Sequence, residues 1–193
     1  MSNTNIPFTY LKLRRIVEVF LIIIASPVLI ILTILTAFSI FLEDGSPVFF
    51  IQKRPGKNGK MFCLIKFRSM TKKPQTQFEL TQKQDNRITT VGRIIRKFHL
   101  DEIPQLWNVL KGDMSLIGPR PVPAELYNCY LSEIPNYDFR HVIRPGVTGL
   151  AQIELGYTNT LEGEQQKWNW DRDYILNISP KADFRILWRT FVK

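Results

Sequence analysis

Histidine and cysteine are scarce, two of each in 193 residues. His99 and His141 are the only histidines, and no Gly-x-Ser-x-Gly elbow accompanies them, which excludes a Ser-His hydrolase. Cys63 and Cys129 lack metal-ligand spacing; zinc ligation is unsupported, and the pair reads as reduced thiols of a cytosol-facing domain. No GxxxxGK[ST] loop is present to cradle phosphates, and RPGKNGK at 54–60 is only a basic turn. There is no internal repeat and no second domain. The last absence is local: none of the 24 residues between Glu18 and Glu43 carries a charge.

That uncharged run, VFLIIIASPVLIILTILTAFSIFL, would cross a bilayer core of roughly 30 Å as a straight helix at about 1.5 Å per residue. It is too long for a signal peptide, and no clear cleavage site follows it. A single span is the simplest assignment, but two features argue against it. Ser26-Pro27 interrupts the middle, where proline clashes with the Ile23 carbonyl and kinks a helix, while the Ser26 hydroxyl can satisfy part of the deficit. Cations also flank both ends, Lys12, Arg14 and Arg15 before and Lys53, Arg54, Lys57 and Lys60 after. The positive-inside rule puts both flanks on the cytoplasmic side, which one crossing cannot supply and a re-entrant helix can.

The net charge of +9 fits a solvated surface, nucleic acid, an anionic membrane or phosphorylated substrates. The apolar segment favours the membrane over nucleic acid. Pro47–Ile51 and Met61–Phe67 read as a β-hairpin, and 71–86 as a mobile polar loop. Arg87–Phe98, Asp101–Leu110 (stopped by Gly112), Leu161–Leu176 and Lys181–Lys193 read as helices. SLIGPRPVP and RPGVTG read as loops. The last helix carries Phe184, Leu187, Trp188 and Phe191 on one stripe and Lys181, Arg185, Arg189 and Lys193 on another. Such a helix suits a membrane interface, and packing on the core explains its apolar stripe equally well.

The chemistry concentrates in HLDEIPQLWNVLKGDMSLIGPRP. Pro104 is tolerated only in the first turn of a helix, which puts Asp101 near a helix N-terminus, where a capping role is the ordinary explanation. The same position keeps a carboxylate ionised and leaves N–H groups for a phosphate. Adjacent helical residues point about 100° apart, so Asp101 and Glu102 divide roles, one a nucleophile and one a Mg²⁺ ligand or proton-transfer group. Around them stand Arg93, Arg96, Lys97, Lys66 and Arg68. Arg120 and Arg144 differ from these, each beside Pro and Gly in a rigid turn that suits a guanidinium held against phosphate oxygens.

KFRSM (66–70), RITTVGRIIRKFHLDEIPQLWNVLKGDMSLIGPRPV (87–122), RPGVTGLAQI (144–153) and DRDYILNIS (171–179) closely resemble the bacterial sugar transferase family, the monotopic polyprenyl-phosphate phosphoglycosyl transferases, over essentially the whole chain. The resemblance implies an α+β, mostly helical monotopic membrane protein. Residues 1–44 would form a re-entrant membrane helix broken at Ser26-Pro27. Residues 45–193 would form a catalytic domain with a small hairpin and interfacial helices, on the cytoplasmic face of the inner membrane. It also implies Mg²⁺-dependent ping-pong chemistry. Asp101 attacks the β-phosphate of a UDP-sugar, UMP leaves, and polyprenyl phosphate takes the sugar phosphate. Glu102 serves the metal or the second step, and Lys66, Arg68, Arg96, Arg120, Arg144 and Asp171 belong to the substrate region.

The resemblance is to the minimal form of the family, without the extra transmembrane helices of larger members. The chain departs from the family at ELGYTNTLEGEQQ, where many members carry a polar run of Asn-Gly-Arg-Asn character; the sugar is therefore unassigned. Polyprenol length, glycan pathway and oligomeric state stay open, a homo-oligomer included. Two rival readings are direct attack by the acceptor with Asp101 as base, and a non-enzymatic basic adaptor on anionic lipid or nucleic acid.

Overall fold

The computed structural model describes residues 7–71, 85–155 and 160–192. Most of the expected mobile loop at 71–86, part of the divergent stretch after Ile153, and Lys193 lie outside them.

The first element, α1 (Phe8–Asp44), is one helix through Pro27. Helical structure continues across Ser26-Pro27, and the anticipated repair of the proline site is present: Ser26 Oγ donates to the Ile23 carbonyl at 2.7 Å. A local hydroxyl accepts the role of the missing N–H. By length and composition α1 is able to cross a membrane. Leu13, Ile24, Val28, Ile31, Leu35 and Phe38 are all exposed along it.

Its two ends nevertheless dock on the same folded body. Near the start, buried Arg14 donates to Asp183 (3.0 Å), Tyr174 Oη (2.7 Å) and Ser115 Oγ (3.1 Å). Buried Glu18 accepts from Ser115 Oγ at 2.5 Å and the Leu116 N–H at 3.1 Å. At the far end, Arg68 donates to the carbonyls of Asp44 and Gly45 at 2.9 and 2.8 Å. Glu43 accepts the N–H groups of Thr90 and Val91 at 2.7 and 2.9 Å, satisfying the first turn of the next helix. Ile22 and Ile40 belong to two separate apolar clusters of the body. Removing one partner from a buried ion pair such as Arg14–Asp183 costs about 3–5 kcal/mol, so these are strong attachments.

The expected hairpin is present, its second strand at the expected bounds and its first extended through Arg54 and Pro55 of the expected turn. β1 (Phe49–Pro55) pairs antiparallel with β2 (Met61–Phe67), Phe50 opposite Lys66 and Arg54 opposite Phe62. A left-handed Asn58 turns the chain between them. Next come α2 (Thr90–Lys97), capped by the Thr89 hydroxyl on the Gly92 N–H, and α3 (Gln105–Lys111), ended by Gly112 at φ 90°. Two segments read as loops contain a small parallel sheet, β3 (Ser115–Ile117) against β4 (Gly146–Thr148). Three-residue strands are too short for alternation to reveal them. α4 (Ala124–Glu133) was also not expected, and α5 (Leu150–Glu154) follows β4. α6 (Leu161–Leu176) matches its expected bounds, and α7 (Pro180–Val192) closes the chain.

The main core gathers Tyr137, Ile143, Trp168, Tyr174, Ile175 and Ile186. On α7 the core takes Asp183 and Ile186, whereas Phe184, Trp188 and Phe191 stand 68, 62 and 86% exposed. Of that stripe Leu187 packs against the core, while the three aromatic side chains face outward. Both cysteines are free and exposed.

Candidate active site

Asp101 and Glu102 do not begin α3. They lie in their own 3-10 turn, Leu100–Glu102, entered through a left-handed His99 at φ 54°. Pro104 is the N-cap residue of α3 and makes no side-chain cap, so the expected capping role of Asp101 is absent. The turn is held against the hairpin by Asn108, wholly buried in α3. Its Oδ1 accepts the Ile65 N–H at 3.1 Å and its Nδ2 donates to the Cys63 carbonyl at 2.8 Å. An amide side chain thus replaces a missing strand at the edge of β2 and fixes the acidic turn beside Lys66. An Asn amid QLWNVL was the available signal, and it went unread.

Two carboxylates adjoin in this turn, and their surroundings differ. Glu102 is clamped by both terminal nitrogens of Arg120, one contact at 3.3 Å and the other shorter. Burial pushes its carboxyl up, but the charge and hydrogen bond of Arg120, with His99 and Lys66, outweigh this and hold it below the usual range. Asp101 makes no hydrogen bond or ion pair among the described residues. Burial and the neighbouring Glu102 push its carboxyl up; Lys66, Arg120 and Arg96 pull the other way. The net direction is upward, so the expectation of a carboxylate held ionised by a helix N-terminus is corrected: Asp101 begins no helix, and the nearby cations only partly offset burial and Glu102. Lys66 is pushed down to about 8 by burial and by Arg54 and Arg120, and Arg54 to about 10 by burial and Arg120. The site is over-supplied with positive charge, as a diphosphate pocket requires.

The remaining candidates divide. Arg96 on α2 donates from Nε to Ser69 Oγ at 2.7 Å and contributes to the field at Asp101. Arg68 is buried at the end of α1 and faces Asp44. Arg144 lies at the far end of α3, its Nε on the Gly112 carbonyl at 2.7 Å. Asp171 is 2% exposed and pairs with Arg140 at 2.7 Å, behind the site instead of lining it. Arg54, read from sequence only as flanking charge, joins the cluster because β1 runs beside Lys66. Among the described residues no group of three or more His, Cys, Asp or Glu side chains converges as a metal cage.

A membrane-sized apolar helix docked on a compact α+β body, with an acidic pair among clustered cations, defines a class, and comparison with known proteins supplies it. The family described as bacterial sugar transferase matches residues 9–193, and the chain belongs to that family. A UDP-N-acetylgalactosamine-undecaprenyl-phosphate N-acetylgalactosaminephosphotransferase of Aeromonas hydrophila is 41% identical over 94% of this chain and 43% of its own length. A UDP-glucose:undecaprenyl-phosphate glucose-1-phosphate transferase of Caulobacter vibrioides is 39% identical over 92% of this chain and 67% of its own. An exopolysaccharide production protein of Rhizobium leguminosarum is 38% identical, with 94% of each chain covered. The chain thus spans less than half of the Aeromonas relative and about two thirds of the Caulobacter one.

Proposed function

We propose that the protein transfers a sugar 1-phosphate from a UDP-sugar to undecaprenyl phosphate in two steps on Asp101. The observation that carries this reading is the unequal pair: Glu102 is engaged by Arg120, while Asp101 faces the same cations with its oxygens uncommitted. An Asp101 carboxylate oxygen bonds to the β-phosphorus as the bond from that phosphorus to the bridging oxygen breaks, and UMP leaves with the electron pair. A phosphate oxygen of the acceptor then attacks the same phosphorus and releases the carboxylate. Both steps exchange one phosphoryl linkage for another, so positioning and charge neutralisation supply the catalysis.

Mg²⁺ takes one or two carboxylates and completes its shell with phosphate oxygens and water, which suits a two-carboxylate turn better than a protein-only cage. Asp101 and Glu102 would hold it, and it would offset the charge of the diphosphate. Release of UMP, screened over a panel of UDP-sugars with undecaprenyl phosphate, tests the reading: one donor should turn over, stop with chelator and resume with Mg²⁺. Turnover indifferent to chelator removes the metal, and silence across the panel removes the reaction.

Lys66 gives a pH signature. With its ammonium pushed down to about 8, the side chain loses its charge as pH rises from 7 to 9. The free-enzyme pKa governs kcat/KM, so kcat/KM for the donor should fall across that window, and Lys66→Arg should remove the fall. An unchanged profile in the arginine variant would assign the limb elsewhere.

The docking of both α1 ends on one body supports a re-entrant helix at the cytoplasmic face of the inner membrane, with Phe184, Trp188 and Phe191 of α7 at the interface. In a background without Cys63 and Cys129, single cysteines at Lys12 and Asn58 should react with an impermeant maleimide from the same side. Reaction from opposite sides means a true span.

A further inference from the structure

The Pro119-Arg120-Pro121 turn cannot hold itself. Two of its three residues lack an N–H, so its carbonyls must find donors elsewhere. Each carbonyl has one. Pro119 O accepts the Gly146 N–H at 2.9 Å, Arg120 O accepts Arg140 Nη2 at 3.1 Å, and Pro121 O accepts Arg54 Nη1. Two guanidiniums therefore grip consecutive carbonyls, one from β1 and one from the turn before β4.

We propose that Arg54 and Arg140 are positioning residues that clamp this turn from two sides and so aim the Arg120 guanidinium at Glu102 and at the phosphates beside it. The inference rests on the reading of the site given above.

Arg140 is built for such a task. It is 3% exposed and itself locked, by Glu164 at 2.8 Å, by Asp171 at 2.7 Å and by the Tyr137 hydroxyl. Tyr137 in turn donates to Glu164 at 2.5 Å, and Lys167 stands 3.4 Å from the same carboxylate. Arg140 thus engages two buried acids, and half-buried Lys167 balances the second charge beside Glu164. Burial pushes Asp171 up to about 6, against the pull of Arg140, so the second acid is kept at a cost. What it adds is direction: with one carboxylate on each terminal nitrogen the guanidinium plane has one orientation, and the remaining donor of Nη2 falls on the Arg120 carbonyl. Arg54 is fixed similarly, with Gln52 Oε1 on its Nη2 at 2.9 Å. This assigns Asp171 a part in the site without any contact to substrate.

The test is a double-mutant cycle on UMP release, with Arg140→Lys and Arg54→Gln each made alone and with Arg120→Ala. Each single change should lower kcat/KM by about 10²-fold, the usual consequence of misplacing a group by about 1 Å. In the Arg120→Ala background each should cost less than about threefold, since nothing remains to be aimed. Losses that multiply in full would overturn the clamp, as would single variants of wild-type kcat/KM. Should Arg140→Lys lose its cooperative unfolding transition, Arg54→Gln on the hairpin carries the test. A second readout needs no turnover: the Arg120 guanidinium, followed by nitrogen-15 relaxation of its Nε–H group, should become more mobile in both variants because its turn is no longer clamped. Unchanged Arg120 mobility sinks the inference even if no UDP-sugar is ever turned over, and increased mobility supports it in that same case.

Discussion

Asp101→Asn should abolish UMP release, by at least about 10³-fold, or about 4 kcal/mol of barrier, while the protein stays folded. The amide keeps size and shape and loses the nucleophilic oxygen. Folding should tolerate the change because Asp101 holds no hydrogen bond or ion pair among the described residues, so nothing is left unsatisfied when its charge goes. Asn in place of Asp also relieves the repulsion from Glu102 that pushes this carboxyl up. The unfolding midpoint should therefore hold or rise while activity vanishes.

Intact-mass measurement separates the two-step reading from direct attack. With donor and no acceptor, the wild-type chain should gain the mass of one sugar phosphate, and Asp101→Asn should gain none. Loss of activity without any adduct on the wild type would favour Asp101 as a base, and an active Asn variant would remove it from the chemistry. A basic adaptor without activity predicts neither adduct nor UMP.

The second large effect should come from a residue that touches no substrate. Gly146→Ala would place a methyl group 2.1 Å from the Gly118 nitrogen, 2.5 Å from the Thr148 carbonyl and 2.6 Å from the Gly118 carbonyl. These are backbone atoms and cannot swing aside, so β3 and β4 must separate. Overpacking of this kind costs about 1–3 kcal/mol or more, and for a chain of this size about 2–4 kcal/mol lowers the unfolding midpoint by about 5–15 °C. The Gly146 N–H also carries the Pro119 carbonyl, so Arg120 should be displaced as well. Activity at a temperature where the variant is folded should then drop by about tenfold or more. A variant with wild-type midpoint and wild-type activity would mean that the Pro-Arg-Pro turn is not held through β4.

These residues mark how far the chain could be read before its structure. The uncharged 24-residue run, the hairpin around RPGKNGK, Gly112 as the end of α3 and the span of α6 were legible because each rests on local rules of hydropathy, turn geometry and periodicity. The Ser26 bond to Ile23 was legible for the same reason, since both partners lie within one turn of helix. The continuity of α1 through Pro27 was not, because both of its ends are fixed by contacts with distant parts of the chain. Among the cations expected around the site, the fold brings Lys66, Arg96 and Arg120 close enough to act on the Asp101 carboxyl. Sequence grouped Arg68, Arg144 and Asp171 with them, yet the fold turns Arg68 to Asp44, Arg144 to Gly112 and Asp171 to Arg140. Charge and motif report the kind of residue; they say nothing of the direction in which its side chain leaves the backbone.

The sequence by itself determined the family, the apolar helix and the acidic pair, since composition, spacing and motif are properties of the chain alone. Tertiary structure decided which carboxylate is committed and which is available, and which arginines face it. Those answers depend on Arg120 reaching Glu102 from 18 residues away and on Arg140 reaching Asp171 from 31, contacts set by packing across the fold.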